Sequence, residues 1–200
     1  MYFNKTDLPL NNVMLNFWKD NGYLVIENFK SHEECDELIN RSQELIEEQD
    51  FNNQQSVFDT VSQSHNDDNY FLDSGDKIRF FFEEKANLEK ENIKTNKHYI
   101  VNKIGHALHD LDPVFSHQDK CAYLVHLLGL NAPLLLQSMV ICKQPFIGGE
   151  VNSHQDSTFL YTAPESCIGL WLALEPATTA NGCMWAARGG HRAPLKSRFH

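Results

Sequence analysis

The 200-residue chain is short of positive charge: 17 lysines and arginines stand against 27 aspartates and glutamates, a formal net charge of −10. Non-specific binding to nucleic acid or anionic lipid needs a basic surface, so neither partner is expected. No apolar run reaches the length that spans a bilayer. The opening MYFNKTDLPL has no basic region followed by an apolar one, so it does not read as a secretion signal, and the final Arg198-Phe199-His200 is not a Ser-Lys-Leu-like peroxisomal address. The five cysteines (Cys35, Cys121, Cys142, Cys167 and Cys183) are odd in number and form no C-x-x-C pair, which predicts free thiols in a reducing compartment. G-x-S-x-G, P-loop, strand-borne G-x-G-x-x-G and H-E-x-x-H patterns are all absent. These absences predict an intracellular, cytoplasmic chain of one domain, large enough for a real core.

What is present centres on residues 148–161, GGEVNSHQDSTFLY, with His154-Gln155-Asp156 in the middle. In an extended strand, residues i and i+2 point the same way, so one strand end offers an imidazole nitrogen and a carboxylate oxygen to a single point. That is two thirds of the 2-His-1-carboxylate triad that holds non-haem Fe(II) with positions left open. The pattern His-x-Asp occurs three times, at His65, His117 and His154, and SHQD twice. Context separates them. His65 lies in a polar Asn/Asp/Ser-rich loop, and His117 follows Pro113 at the start of a helical stretch, where i and i+2 diverge. Only His154 sits after a strand-like run (133–145) and a Gly-Gly turn, and before a second run of strand formers (157–162).

Around this motif the chain reads as helices first and strands after, an α+β arrangement with a β-sandwich or barrel core. Residues 7–19 carry apolar side chains at helical spacing, with Gly22 as a stop. Ser31-His32-Glu33-Glu34 is a capping box that opens a helix to about residue 49, with Cys35, Leu38, Ile39, Leu45 and Ile46 as its buried stripe. Residues 23–27 and 76–83 read as strands, with Phe80, Phe81 and Phe82 as core. Residues 52–69 read as a long polar loop, residues 84–96 as a charged hairpin or lid, and residues 118–128 as a third helix ending at Gly129. Strands are expected at 134–143, 168–175 and 183–187, the last after an Asn181-Gly182 turn. Each longer strand has one more apolar face; the other, with Met139 and Trp171, suits a cavity wall. His106 and His109, at i and i+3, form a competing candidate for a divalent-metal site if their segment is helical.

Several long segments in order resemble the phytanoyl-CoA dioxygenase family: SGDKIRFFFE, NKIGHALHDLDPVF, QSMVICKQPFIGGEVNSHQDSTFLYT and GLWLALEPATTANGCMW. The resemblance implies N-terminal helices packed on a double-stranded β-helix, a jelly-roll or cupin-like barrel. It implies a dioxygenase of hydroxylase type using Fe(II) and 2-oxoglutarate, with ascorbate as a supporting reductant and a small-molecule primary substrate. His154 and Asp156 match the first two iron ligands. Lys103, Met139 and Trp171 match positions that contact 2-oxoglutarate, and Gln155 lies in the same contact region. Succinate and CO2 are the expected products from 2-oxoglutarate.

The sequence departs from the family pattern after Trp185. The family's third ligand is a histidine on a later strand, followed by an arginine-like group for the distal carboxylate of 2-oxoglutarate. Here Arg188-Gly189-Gly190-His191 matches a turn, and His191 the turn histidine, with His191 or His200 as stand-in third ligands. The expectation is therefore one truncated domain over residues 1–200: a helix-rich part that also carries strands (1–130), the first barrel strands with the motif (131–187), and an atypical tail (188–200). The barrel is expected to be incomplete at its C-terminal side. The alternative reading is a non-catalytic variant of the same fold that binds 2-oxoglutarate or a protein partner.

Overall fold

A computed structural model describes residues 1–51, 56–58, 69–86, 97–117, 119–158 and 160–194. The expected polar loop at 52–69 and the hairpin or lid at 84–96 fall largely outside those residues, as does His200.

The first helix, α1 (Asn12–Asn21), begins where the Asn11 side chain accepts from the Met14 amide. It ends where Gly22 turns left-handed at φ 80°, a conformation that glycine adopts without steric cost. The helix starts later than its apolar spacing predicts, because a short 3-10 turn (Lys5–Asp7) takes up the first residues. Before and after α1, β1 (Phe3–Asn4) and β2 (Ile26–Glu27) form a short parallel pair. The second helix, α2 (His32–Glu48), forms as its capping box predicts. Ser31 Oγ accepts from the Glu34 amide, and the Glu34 carboxylate accepts from the Ser31 amide at 2.8 Å. Cys35, Leu38, Leu45 and Ile46 are buried on one face of α2, with Ser42 between them.

That face packs on a four-stranded mixed sheet in the order β3 (Val57–Phe58), β4 (Ile78–Glu83), β5 (Val101–His106), β6 (Ser138–Ile141). The strands β4, β5 and β6 are antiparallel neighbours, whereas β3 runs parallel to β4. Leu38, Leu45 and Ile46 meet Phe51, Phe80, Phe82, Ile100, Val101, Ile104, Leu108 and Phe115 in one apolar cluster. Phe51 sits edge-on to both Phe80 and Phe82, with ring centroids 5.4 and 5.1 Å apart, the geometry aromatic quadrupoles favour. Phe81, one residue out of phase, is buried on the opposite face with Tyr70 and Phe71.

An ion pair between the half-buried Arg41 and the buried Asp112 ties α2 to the segment after β5. Arg41 Nε lies 2.8 Å from Asp112 Oδ2. The other oxygen of Asp112 caps the helix Pro113–Ser116 by accepting from the Val114 and Phe115 amides. The carboxylate thus has its lone pairs met, as a buried charge requires. The helix Asp119–Leu127 closes at Gly129 (φ 98°), near the predicted stop.

The α+β class holds, and β4 forms within the strand expected at 76–83; β3 and β5 are strands where a loop and a turn or helix were expected, so more of the sheet precedes the helix Asp119–Leu127 than the sequence suggests. No closed barrel forms among the described residues. Of the run expected at 134–143, only Ser138–Ile141 is a strand. Among the described residues of 157–162, and at 168–175 and 183–187, no ladder forms. A strand is held by its neighbours' backbone and side chains more than by its own propensity. Here the apolar Leu134, Phe146 and Trp185 stay exposed at 83 %, 103 % and 80 %. The Asn181-Gly182 turn does form: Gly182 has φ 84°, and the Cys183 amide donates to the Thr178 carbonyl at 3.1 Å. No helix among the described residues is long and apolar enough to cross a membrane.

Phe82 is fully buried between Phe51 and the β5 side chains. Phe82→Ala should therefore destabilise the chain by about 3–5 kcal/mol, read as a lower urea midpoint. An effect below about 1 kcal/mol would show that this cluster is not the core.

Candidate functional site

Register decides which residues share a face. Phe81 pairs with Lys103, Lys103 with Ile141, and Gly105 with Met139, and directly opposed residues project to the same side. Phe80, Ile104 and Val140, each one residue along, serve the apolar cluster on the α2 side. Lys103 and Met139 therefore lie together on the face away from that core. Met139 covers Gly105 closely: a Cβ added at Gly105 would stand 2.9 Å from Met139 Cγ.

Lys103 looks like a surface lysine in sequence, yet it is 7 % exposed. Its Nζ lies 3.1 Å from the centroid of the Phe58 ring, a cation–π contact. Burial pushes its pKa down to about 7, against the attraction of Glu83 and with a smaller push from Lys143. The Lys103 charge also bears on His154, which brings the strand face and the motif within electrostatic reach of each other. His106 is buried beside the same face. Ser74 has one hydroxyl hydrogen, which goes to the Phe71 carbonyl, so Ser74 Oγ accepts from His106 Nδ1 at 2.7 Å. Burial, then the Lys103 charge, lower the pKa of His106 to about 4. The ring is neutral at pH 7, with its lone pair on Nε2.

The loop from β6 to the motif is pinned twice. Gln144 Nε2 donates to the carbonyls of His98 and Val101. Glu83, 1 % exposed at the end of β4, accepts from the Gly149 amide at 3.0 Å. Burial raises the pKa of Glu83, offset in part by that bond and one from the Asn102 side chain. Glu83 had no signal in sequence beyond being a charge that ends an aromatic strand, and Phe58 lay in a segment read as loop.

The motif itself is a 3-10 turn, Asp156–Thr158, in place of the expected strand end. The two side chains converge nonetheless: His154 Nε2 is 3.3 Å from Asp156 Oδ1. His154 Nδ1 faces the Asn152 carbonyl at 2.7 Å, so Nδ1–H donates there and Nε2 is directed at the carboxylate. The hydrogen bond to Asp156, then the one to Asn152, raise the His154 pKa to about 9, and the bond to His154 lowers that of Asp156. A cation between them would replace the shared proton. Two ligands at right angles and about 2.1 Å from a metal stand about 3 Å apart, so the pair fits two adjacent positions of a metal sphere. A backbone carbonyl on the remote imidazole nitrogen is the usual outer support of a metal-binding histidine. Gly169 leaves room for the carboxylate, since a Cβ there would stand 2.9 Å from Asp156 Oδ2. Among the described residues no third His, Cys, Asp or Glu joins the pair in a metal-holding group.

The other candidates are placed as follows. The Gln155 amide turns to the C-terminal segment, donating to the Gly190 carbonyl at 2.7 Å. Trp171 is 44 % exposed in an extended segment without ladder partners among the described residues. His191, considered as a third ligand, instead donates from Nε2 to the Lys19 carbonyl at 3.1 Å. His106 and His109 are turned to different serines, His109 Nδ1 lying 2.8 Å from Ser138 Oγ.

A family model described as "Phytanoyl-CoA dioxygenase (PhyH)" matches residues 18–199. A "Phytanoyl-CoA dioxygenase" of Arabidopsis thaliana is 48 % identical over 188 residues, covering 92 % of this chain and 66 % of the relative. A "Phytanoyl-CoA dioxygenase 1" of Oryza sativa subsp. japonica is 46 % identical over 193 residues, covering 95 % and 68 %. A "Phytanoyl-CoA dioxygenase domain-containing protein 1" of Rattus norvegicus is 43 % identical over 194 residues, covering 91 % and 66 %. The chain spans about two thirds of the length of these curated relatives.

The Lys103 environment makes a pH-dependent prediction. The folded chain releases the Lys103 proton near pH 7 and the unfolded chain near 10.5. The unfolded state thus binds more protons between those values, and this residue's contribution to stability rises with pH across that window. Lys103→Met should stabilise the chain at pH 6 by an amount on the order of a few kcal/mol, and the gain should shrink towards pH 10. A gain independent of pH, in paired urea melts, would contradict this account of Lys103.

Proposed function

The chain belongs to the phytanoyl-CoA dioxygenase family, and from that premise we propose that it carries the metal-binding core of an Fe(II)- and 2-oxoglutarate-dependent dioxygenase of hydroxylase type. The observation that carries the reading is the His154–Asp156 pair, with 3.3 Å between Nε2 and Oδ1 and the remote nitrogen on Asn152. When bound, Fe(II) and 2-oxoglutarate supply the oxidising power that inserts one oxygen atom of O2 into a small-molecule substrate, the other going to succinate as CO2 leaves.

The residues of this chain have assignable parts. His154 and Asp156 offer two adjacent ligand atoms, and Asn152 keeps the imidazole in the orientation that frees Nε2. Lys103 is the residue proposed to meet a carboxylate of 2-oxoglutarate; its burial supports this, since an arriving anion restores the charge that burial disfavours, and a charge-assisted bond in a dry site is strong. Met139 and Trp171 form the apolar walls of the cosubstrate space. The jelly-roll barrel, a third ligand and an anchor for the distal carboxylate belong to the proposal as the family resemblance implies them, and none of them is assigned to a described residue. The relatives' names point to an acyl-CoA substrate; for this chain the proposal extends to a small molecule.

Succinate formation from 2-oxoglutarate with Fe(II) and ascorbate tests the reading. Turnover should fall at least 100-fold in His154→Ala and in Asp156→Ala, on the order expected when a metal ligand is removed. Undiminished turnover in either variant would overturn the ligand assignment. A folded wild-type chain that binds 2-oxoglutarate without forming succinate would favour a non-catalytic binding role.

A further inference from the structure

Gln155 lies between the two candidate ligands in sequence, but its side chain leaves their face. Its Nε2 donates to the Gly190 carbonyl at 2.7 Å and the Ala193 carbonyl at 3.3 Å. Those carbonyls belong to the turn around Gly190–Arg192, whose other side sits on the C-terminal end of α1. The Gly189 amide donates to the Asn21 carbonyl at 2.9 Å. His191 Nε2 donates to the Lys19 carbonyl at 3.1 Å, and the Arg192 guanidinium donates to the same carbonyl and lies 3.3 Å from Asp20 Oδ1. Carbonyls in the last turn of a helix have no partners within it, and they carry the negative end of its dipole. A turn bringing an amide, an imidazole N–H and a guanidinium is complementary to such an end. The fit is close: a Cβ on Gly22 would stand 2.2 Å from His191 Nδ1.

The His154 and Asp156 side chains are 56 % and 57 % exposed, so packing alone does little to fix them. Hydrogen bonds from outside the motif must hold it in place. Glu83 supplies one at Gly149, five residues before His154. Gln155 supplies another within the motif.

We infer that Gln155 is a positioning residue, and that through the turn at Gly189–Arg192 it ties the His154–Asp156 pair to the end of α1. The turn then sets how far the two ligand atoms stray from their convergent geometry. The mechanical part of this inference needs no metal; its consequence for metal binding rests on the ligand assignment proposed above.

Amide hydrogen exchange on the metal-free chain tests the mechanical part. Thr158 N–H donates to the Gln155 carbonyl and Leu160 N–H to the Asp156 carbonyl, so both amides report on the motif. His191→Ala, a change at an exposed residue, should speed their exchange about three- to tenfold, the worth of one lost hydrogen bond, while amides of α2 keep their rates. His191→Gln, which retains an N–H donor for Lys19, should return both rates towards wild type. Unchanged exchange at Thr158 and Leu160, or a rise shared equally by α2, would overturn the tether. Co(II) titration tests the consequence. Gln155→Ala and His191→Ala should each weaken binding about tenfold, as loss of outer support does, and the double variant should be little weaker than either. Full additivity would contradict a shared path. If His154→Ala binds Co(II) as wild type does, the ligand assignment fails, and the exchange rates alone decide the tether.

Discussion

The pairing of Ile78–Glu83 with Val101–His106 is the constraint on which the rest depends. With that register, Phe80, Phe82 and Ile104 enter one apolar cluster with α2, while Phe81, Lys103 and Gly105 take the other face. A slip of one residue would exchange the faces, placing Lys103 in the core and Ile104 at the site. Ser138–Ile141 then reads its register from β5, which sets Met139 over Gly105. The site is thus a by-product of correct core formation.

The second theme is how buried polar groups are met. Asp112 is satisfied by Arg41 and two backbone amides. Glu83 is satisfied by Gly149 and Asn102, and His106 Nδ1 by Ser74. Lys103 differs. It faces an aromatic ring and a carboxylate whose attraction does not offset its burial. A buried amine whose charge its neighbours only partly offset is what an anionic ligand would complete, and such groups gather at binding sites. The stability lost by holding Lys103 there is the physical counterpart of its proposed role.

Much of the helical part was legible because its signals are local. The Ser31 box, the Gly22 and Gly129 stops and the apolar stripe of α2 each need only a few neighbouring residues. The His154-x-Asp156 pair was also legible, although its geometry came from a 3-10 turn and not from a strand. The features that escaped reading involve distant partners. Nothing near Lys103 announces that Phe58 will cover it, and nothing near Glu83 announces Gly149. The tail looked patternless because its partners, Lys19 and Asn21, are some 170 residues away in sequence. Among the described residues the expected strands beyond Ile141 form no ladder, for the same reason: alternation marks a segment that can pair, and only a partner makes it a strand.

The central claim is that His154 and Asp156 present two adjacent ligand atoms beside an anion subsite at Lys103. Anomalous diffraction from crystals grown with Mn(II) and 2-oxoglutarate tests it most directly. The account predicts one manganese peak about 2.1 Å from both His154 Nε2 and Asp156 Oδ1, with the cosubstrate carboxylate reaching towards Lys103. Manganese bound elsewhere, as between His106 and His109, with the His154–Asp156 pair empty, would contradict it.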